Sequence, residues 1–138
     1  MADTVSKVSY VYVTVPNRAG HGAKILREVT SAGVNLFACS GFPGRTGKAQ
    51  LDLVVPDAGV IRRLAKKNGW RVSETKRAFL IQGDDKVGAV SRHVQKLAKA
   101  KIDVTAADAV SAGRGRYGMI LWVKPKNFAR AAAALKAR

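Results

Sequence analysis

The residues in this chain that could do chemistry are few and scattered. Its one cysteine, Cys39, and two histidines, His21 and His93, are the natural zinc ligands. A zinc site takes about four such groups, so no metal centre is expected. No spacing marks a Cys–His or Ser–His nucleophilic pair. Cys39 falls in a run of small residues with strand character, where a buried, unreactive thiol is expected. The segment 41–48, with Gly41, Gly44, Gly47 and Lys48, has the composition of a phosphate loop. The spacing fails, because five residues separate Gly41 from Gly47, and Ala49 stands where the hydroxyl residue is required. The segment also joins two expected strands, whereas a phosphate loop opens a helix. It reads as a hairpin connection, and neither a cofactor nor a catalytic residue is expected.

The bulk properties bound the remaining possibilities. The 138 residues carry 25 basic and 9 acidic side chains, a formal charge of +16. Such a balance suits nucleic acid or another polyanion. However, 10 of the basic and 4 of the acidic residues lie in 1–70 and the rest beyond, so the charge is spread and forms no basic tail. The apolar content of 47% is enough for a real core. Apolar runs such as 119–123 are too short to cross a bilayer, and no signal peptide is visible at the N-terminus. A single cysteine excludes an intramolecular disulfide and suits a reducing compartment. A cytoplasmic protein with no membrane partner is expected.

The elements that must position any site come in two copies. Slid against itself by 68 residues, the sequence aligns without a gap: Gly20 falls on Gly88, Ala32 on Ala100, Ala38 on Ala106 and Gly47 on Gly115. Leu53 meets Leu121 and Val55 meets Val123. These identities sit at turn glycines and at positions suited to burial, as an old duplication would leave them.

Each copy reads as β-α-β-β-α. The β-branched and aromatic runs at 10–15 and 78–82 predict first strands. The first helices carry the stripes Gly22, Ile25, Leu26, Val29, Ala32 and Val87, Val90, Val94, Leu97, with Gly33 closing the former. Second strands are expected at 34–39 and 102–107, and third strands at 50–55 and 117–123. Second helices begin near Asp57, a good N-cap, and near Asn127. Their stripes are Val60, Ile61, Leu64 and Phe128, Ala132, Leu135. Residues 70–75 supply a fourth strand to the first copy. The second copy has no such strand after its last helix, so an open edge is expected beside the strand at 78–82. The third strands are apolar on both faces, with Met119, Leu121 and Val123 on one and Ile120 and Trp122 on the other. Helices cover only one face, so part of the second face is expected to be buried as well.

With these elements in place the chain resembles the ACT domain family. The resemblance rests on a strand followed by Asn17, Arg18, Ala19 and Gly20, an amphipathic helix, and then Gly33, Val34, Asn35 and Leu36. The second copy has Asp85, Lys86, Val87 and Gly88, then Ile102, Asp103 and Val104, in the same places. The resemblance covers essentially the whole chain. It implies an α+β fold of two tandem ferredoxin-like βαββαβ units, at 1–76 and 77–138, with antiparallel sheets and helices on one face, the second unit lacking its last strand.

It also implies a site. In serine-sensing ACT domains one amide side chain sits in the first turn and another opens the second strand; Asn17 and Asn35 stand at those positions here. An amide offers donors and acceptors to an ammonium or a carboxylate, and the free N–H groups of a helix start favour a carboxylate. Gly20 permits close approach and His21 stands beside it. Helix capping by Asn17 and a turn bond for Asn35 are the structural alternatives. In the second copy Asp85 and Asp103 replace the amides, so a carboxylate ligand would meet negative charge; helix capping is the structural alternative for Asp85, Asp103 would favour an ammonium or guanidinium group, and the two copies are not equivalent.

The resulting expectation is a non-catalytic, homodimeric sensor that binds an amino acid or similar small ligand where ACT-like domains meet. The set is Asn17, Arg18, Ala19, Gly20, His21, Asn35 and Leu36, with Asp85, Lys86, Val87, Gly88 and Asp103. A rival is RNA binding, since RNA-recognition domains share the βαββαβ order and Gly115, Arg116, Tyr117, Gly118 faintly resembles their third-strand signature. Only Tyr117 supplies an aromatic there, and the first copy offers Lys48, Ala49 and Gln50. A third reading is a structural subunit whose sheet edge assembles with an enzyme.

Overall fold

The structure is a computed structural model and describes residues 3–138. Seven strands and four helices follow in the order β1 (Thr4–Pro16), α1 (His21–Ser31), β2 (Ala38–Pro43), β3 (Lys48–Val55), α2 (Ala58–Asn68), β4 (Arg71–Val72), β5 (Lys76–Asp84), α3 (Ala89–Lys99), β6 (Ala106–Gly113), β7 (Arg116–Trp122) and α4 (Phe128–Leu135). A short 3-10 turn at Pro125–Asn127 leads into α4. The chain forms two compact units: Ser9–Lys76, and Arg77–Arg138 together with the N-terminal segment as far as Val8. The α+β fold with antiparallel pairing is the one the family resemblance implies.

The unit Ser9–Lys76 has the strand order β2-β3-β1-β4, all neighbours antiparallel. Val11 and Val13 of β1 face Leu53 and Leu51 of β3. With Ile25 and Val29 of α1 and Ile61 of α2 they build one apolar core. Asp57 caps α2 through its carboxylate, which accepts from the Gly59 N–H at 2.9 Å. Gly69 ends the same helix in the left-handed region, φ 73°.

The second unit repeats this register 68 residues on. Phe79 faces Leu121 and Ile81 faces Met119, as Val11 faces Leu53 and Val13 faces Leu51. Ala106 faces Trp122 as Ala38 faces Val54. Its core joins these strands to Leu97 of α3 and to Phe128, Ala131 and Leu135 of α4, with the Phe79 and Phe128 rings stacked at 4.5 Å. The opposite face of the third strands is buried too, as their doubly apolar sequences require: Ile120 is 5% and Trp122 6% exposed.

Three expectations are corrected. Among the described residues no strand follows α4, but the edge of β5 is not open. Residues 4–8 of β1 lie beside β5, and Val5 enters the core with Phe79 and Ile81. Arg138 adds backbone bonds to Val5 (3.0 Å) and from Lys7 (2.9 Å). Second, β2 and β6 begin at Ala38 and Ala106, later than expected, so residues 34–37 and 102–105 approach the sheet before strand pairing proper. Third, α3 packs on its sheet through Ala89, His93 and Leu97, leaving Val87, Val90 and Val94 exposed. Among the described residues no helix is long and apolar enough to cross a membrane.

Candidate functional site

The two turns that precede α1 and α3 are built alike. The N–H of Asn17 donates to the Gly47 carbonyl at 2.8 Å, and that of Asp85 to the Gly115 carbonyl at 2.8 Å. Lys24 N–H reaches the Gly20 carbonyl, and Arg92 N–H the Gly88 carbonyl. The repeat at these turns therefore extends to single hydrogen bonds. Gly20 and Gly88 both occupy the N-cap in the left-handed region, φ 93° and 84°, with no side-chain cap. Glycine is needed there because a Cβ would strain that conformation. Neither Asn17 nor Asp85 is the N-cap residue, so the capping alternative for Asn17 does not hold.

The expected site residues are distributed as follows. Asn17, Arg18, Ala19 and Gly20 are exposed, and His21 is half-buried. His21 lines a cavity of about 290 Å³ with Lys24, Asn68, Trp70 and Arg71. Asn35 is exposed and precedes β2 instead of opening it, while Leu36 packs against the core of its unit. Asp85, Lys86 and Gly88 line a shallow groove of about 580 Å³, whose apolar wall is Val90, Val94 and Ala98 of α3. Val87 stands free in solvent, and Asp103 is exposed ahead of β6.

Two further residues depart from expectation. Cys39 is exposed on β2 and not buried. Its thiol is nevertheless pushed up, by desolvation and then by the Asp52 charge, so it is held in the protonated, unreactive form. Tyr117, the aromatic of the RNA-like signature, is 4% exposed. Its ring is therefore not presented for base stacking.

A polar cluster that the sequence did not disclose lies in the second unit. The Asp3 carboxylate accepts from the Tyr117 hydroxyl, and its Oδ2 lies 2.6 Å from His93 Nε2 and 2.9 Å from the Arg92 guanidinium. The Asp3 and His93 side chains are 6% and 4% exposed. Burial acts to raise the Asp3 carboxyl, but bonds from Tyr117 and His93 and the Arg92 charge outweigh it and hold the group below its ordinary value. No sequence signal could join residue 3 to residues 93 and 117, since the link is purely tertiary. Among the described residues there is no group of three or more His, Cys, Asp or Glu fit to hold a metal ion.

No family model matches the sequence, and no curated protein is similar to it. Solved structures do share its architecture. A protein from Bacteroides thetaiotaomicron superposes with a TM-score of 0.81 at 15% identity, over 97% of this chain and 88% of that one. The regulatory subunit of aspartate kinase from Thermus thermophilus, in its ligand-free form, gives 0.68 at 11% identity over 99% and 95%. Aspartate kinase from Clostridium acetobutylicum gives 0.61 at 16% identity, over 97% of this chain but 33% of the enzyme. At these identities the likeness is one of fold, and the fold is the tandem ACT-like arrangement of two βαββα repeats.

Proposed function

We propose that the chain is a non-catalytic regulatory protein, a cytoplasmic homodimer that reversibly binds an amino acid or similar small zwitterion at the turns opening α1 and α3. One observation carries the reading. In both repeats the helix start is capped by a left-handed glycine without any side-chain cap, and the preceding polar residue is tied down through its backbone. The His21 N–H goes to the Arg18 carbonyl at 3.4 Å and the Ala89 N–H to the Lys86 carbonyl at 3.0 Å, so a carboxylate would take the N–H groups that follow them in the first turn of each helix. Asn17 in one turn and Asp85 in the other lie outside the cap, placed to meet the ammonium group. The groove beside Asp85, walled by Val90, Val94 and Ala98, suits the ligand's apolar portion.

The fold shared with the Thermus thermophilus regulatory subunit supports a regulatory role. Ligand binding would bias the packing of the domains only as far as its contacts differ between their arrangements. The output passes to a partner enzyme or to the protein's own assembly.

The test is a thermal-shift screen of the standard amino acids, with Asn17→Ala and Asp85→Ala in parallel and a short RNA at low and high salt. Stabilisation by one or two amino acids, lost in one of the variants, supports the reading and identifies the turn that binds. A shift with RNA alone, abolished by salt, would replace it with a polyanion-binding function.

A further inference from the structure

The two repeats differ in one coordinated respect. At the 68-residue offset, Gly83, His93 and Tyr117 of the second repeat stand on Val15, Ile25 and Ala49 of the first, and Arg92 stands on Lys24. In the first repeat Ile25 is 1% exposed and belongs to the apolar core. That repeat has a fourth strand of its own, with Val72 and Arg71 paired to Val13 and Thr14. The second repeat borrows residues 4–8 for this place. All the substituted positions converge on one group, the Asp3 carboxylate at the head of the borrowed segment.

The contacts have the form of a receptor for a carboxylate. Tyr117, His93 and Arg92 meet the same oxygen, Oδ2. The other oxygen lies over Gly83, where an added Cβ would sit 1.9 Å from it. The backbone of Gly83 does not have a positive φ, so glycine is required there by its neighbours, first the carboxylate and then the edge of the Tyr117 ring at 3.1 Å. A cavity of about 340 Å³ opens beside the cluster, lined by Arg92, His93, Lys96, Lys136 and Arg138 as well as Asp3. It gives a small anion a route to the same donors.

We infer that Arg92, His93 and Tyr117 form a carboxylate-binding site, built into one repeat only, whose occupant is Asp3, and that this contact latches residues 4–8 into the place of the missing fourth strand. A buried charge is an expensive fastener, and an apolar side chain would hold a strand at least as well. What the carboxylate adds is register. A slip of one residue would withdraw Asp3 from its three donors and turn Val5 out of the core. Asp3 is thus a tethered ligand, its effective concentration at the site set by the short connection to the strand. Without it, the site should accept a free carboxylate.

The experiment uses the full chain and reads amide hydrogen exchange along β5. Asp3→Ala should speed exchange of the β5 amides that face the borrowed segment by about tenfold or more, leaving α1 and α2 unchanged. Formate, the smallest carboxylate, should restore much of that protection in Asp3→Ala, and chloride at equal ionic strength should not. Gly83→Ala should reproduce the loss by evicting Asp3. In the Asp3→Ala background it should add little further loss, because the group it evicts is already gone. Unchanged β5 exchange in Asp3→Ala would overturn the latch. A loss that formate and chloride relieve equally would overturn the carboxylate site. Should Asp3→Ala not fold, Asp3→Asn keeps the shape and removes the charge: it should speed β5 exchange too, with no rescue by formate because its amide fills the site, and unchanged β5 exchange in it would overturn the latch.

Discussion

The backbone N–H of Asn17 donates to the carbonyl of Gly47 across 2.8 Å, fastening the turn before α1 to the end of the β2–β3 hairpin. Asp85 makes the same bond to Gly115 in the second repeat. Both acceptor glycines lie in the left-handed region, φ 70° and 72°. In each repeat, therefore, the conformation of a hairpin glycine sets the position of a candidate binding turn.

Gly47→Ala and Gly115→Ala test this coupling. An added Cβ meets nothing within 4 Å at either site, so the cost is backbone strain alone, about 1 kcal/mol each. A fall of a few degrees in Tm is expected for both. In Gly47→Ala the Asn17 amide should also lose protection from exchange. A fall in Tm with that amide still protected would show that the turn is held by other bonds.

The packing of the two helix faces gives a second comparison. Ile61 is fully buried in the core of its unit, and Ile61→Ala should cost about 2–5 kcal/mol. Val87, placed by periodicity on the same kind of stripe, is fully exposed, and Val87→Ser should change stability by less than about 0.5 kcal/mol. Urea denaturation of the two variants distinguishes them directly. A comparable cost at both positions would mean that Val87 is covered in solution.

That contrast shows where the sequence was legible and where it was not. The 68-residue offset, the order of elements along the chain and the Asp57 cap could be read because they depend on local pattern and on identities between the copies. The buried face of α3 could not. In sequence Val87, Val90 and Val94 lead to Leu97 as one apolar stripe, but of these only Leu97 is buried, alongside Ala89 and His93. His93 is buried with its Nε2 partnered by Asp3, ninety positions away in sequence. The same tertiary link hid the origin of the fourth strand, since residues 4–8 read as an ordinary extension of the first strand. In the first turn, Asn17 was singled out on resemblance, and the structure adds only that its side chain is not spent on capping.

Alkaline conditions offer a third test. Burial and the Asp3 hydrogen bond push the Tyr117 hydroxyl up to about 12, and burial with the Asp52 charge does the same for Tyr10. A raised folded value means the neutral phenol is favoured by folding. The stabilisation is complete below the ordinary phenol range near 10 and is lost as pH climbs from there towards 12. Tyr117→Phe should therefore be less stable than the parent at neutral pH but lose less stability over that window, as thermal melts at stepped pH would record. Parallel loss in both proteins would place the alkaline sensitivity at Tyr10 or elsewhere.

Acid provides the converse. The Asp3 carboxyl is buried, which alone would raise it, yet the Tyr117 and His93 hydrogen bonds and the Arg92 charge hold it below its ordinary value of 3.8. A depressed carboxyl stabilises the fold above its unfolded value, and that contribution disappears as pH falls through the folded one. The loss should thus begin in the ordinary carboxylate range near pH 4, where the unfolded chain starts to take up the proton, and continue below it. Comparing the parent with Asp3→Asn by thermal melting, the gap in Tm should be constant from pH 7 to about 5 and close as pH falls below 4. Asp84 is also depressed, but both proteins share it, so it cancels from the difference. A gap that stays constant well below pH 4 would mean that the carboxylate charge does not stabilise the fold.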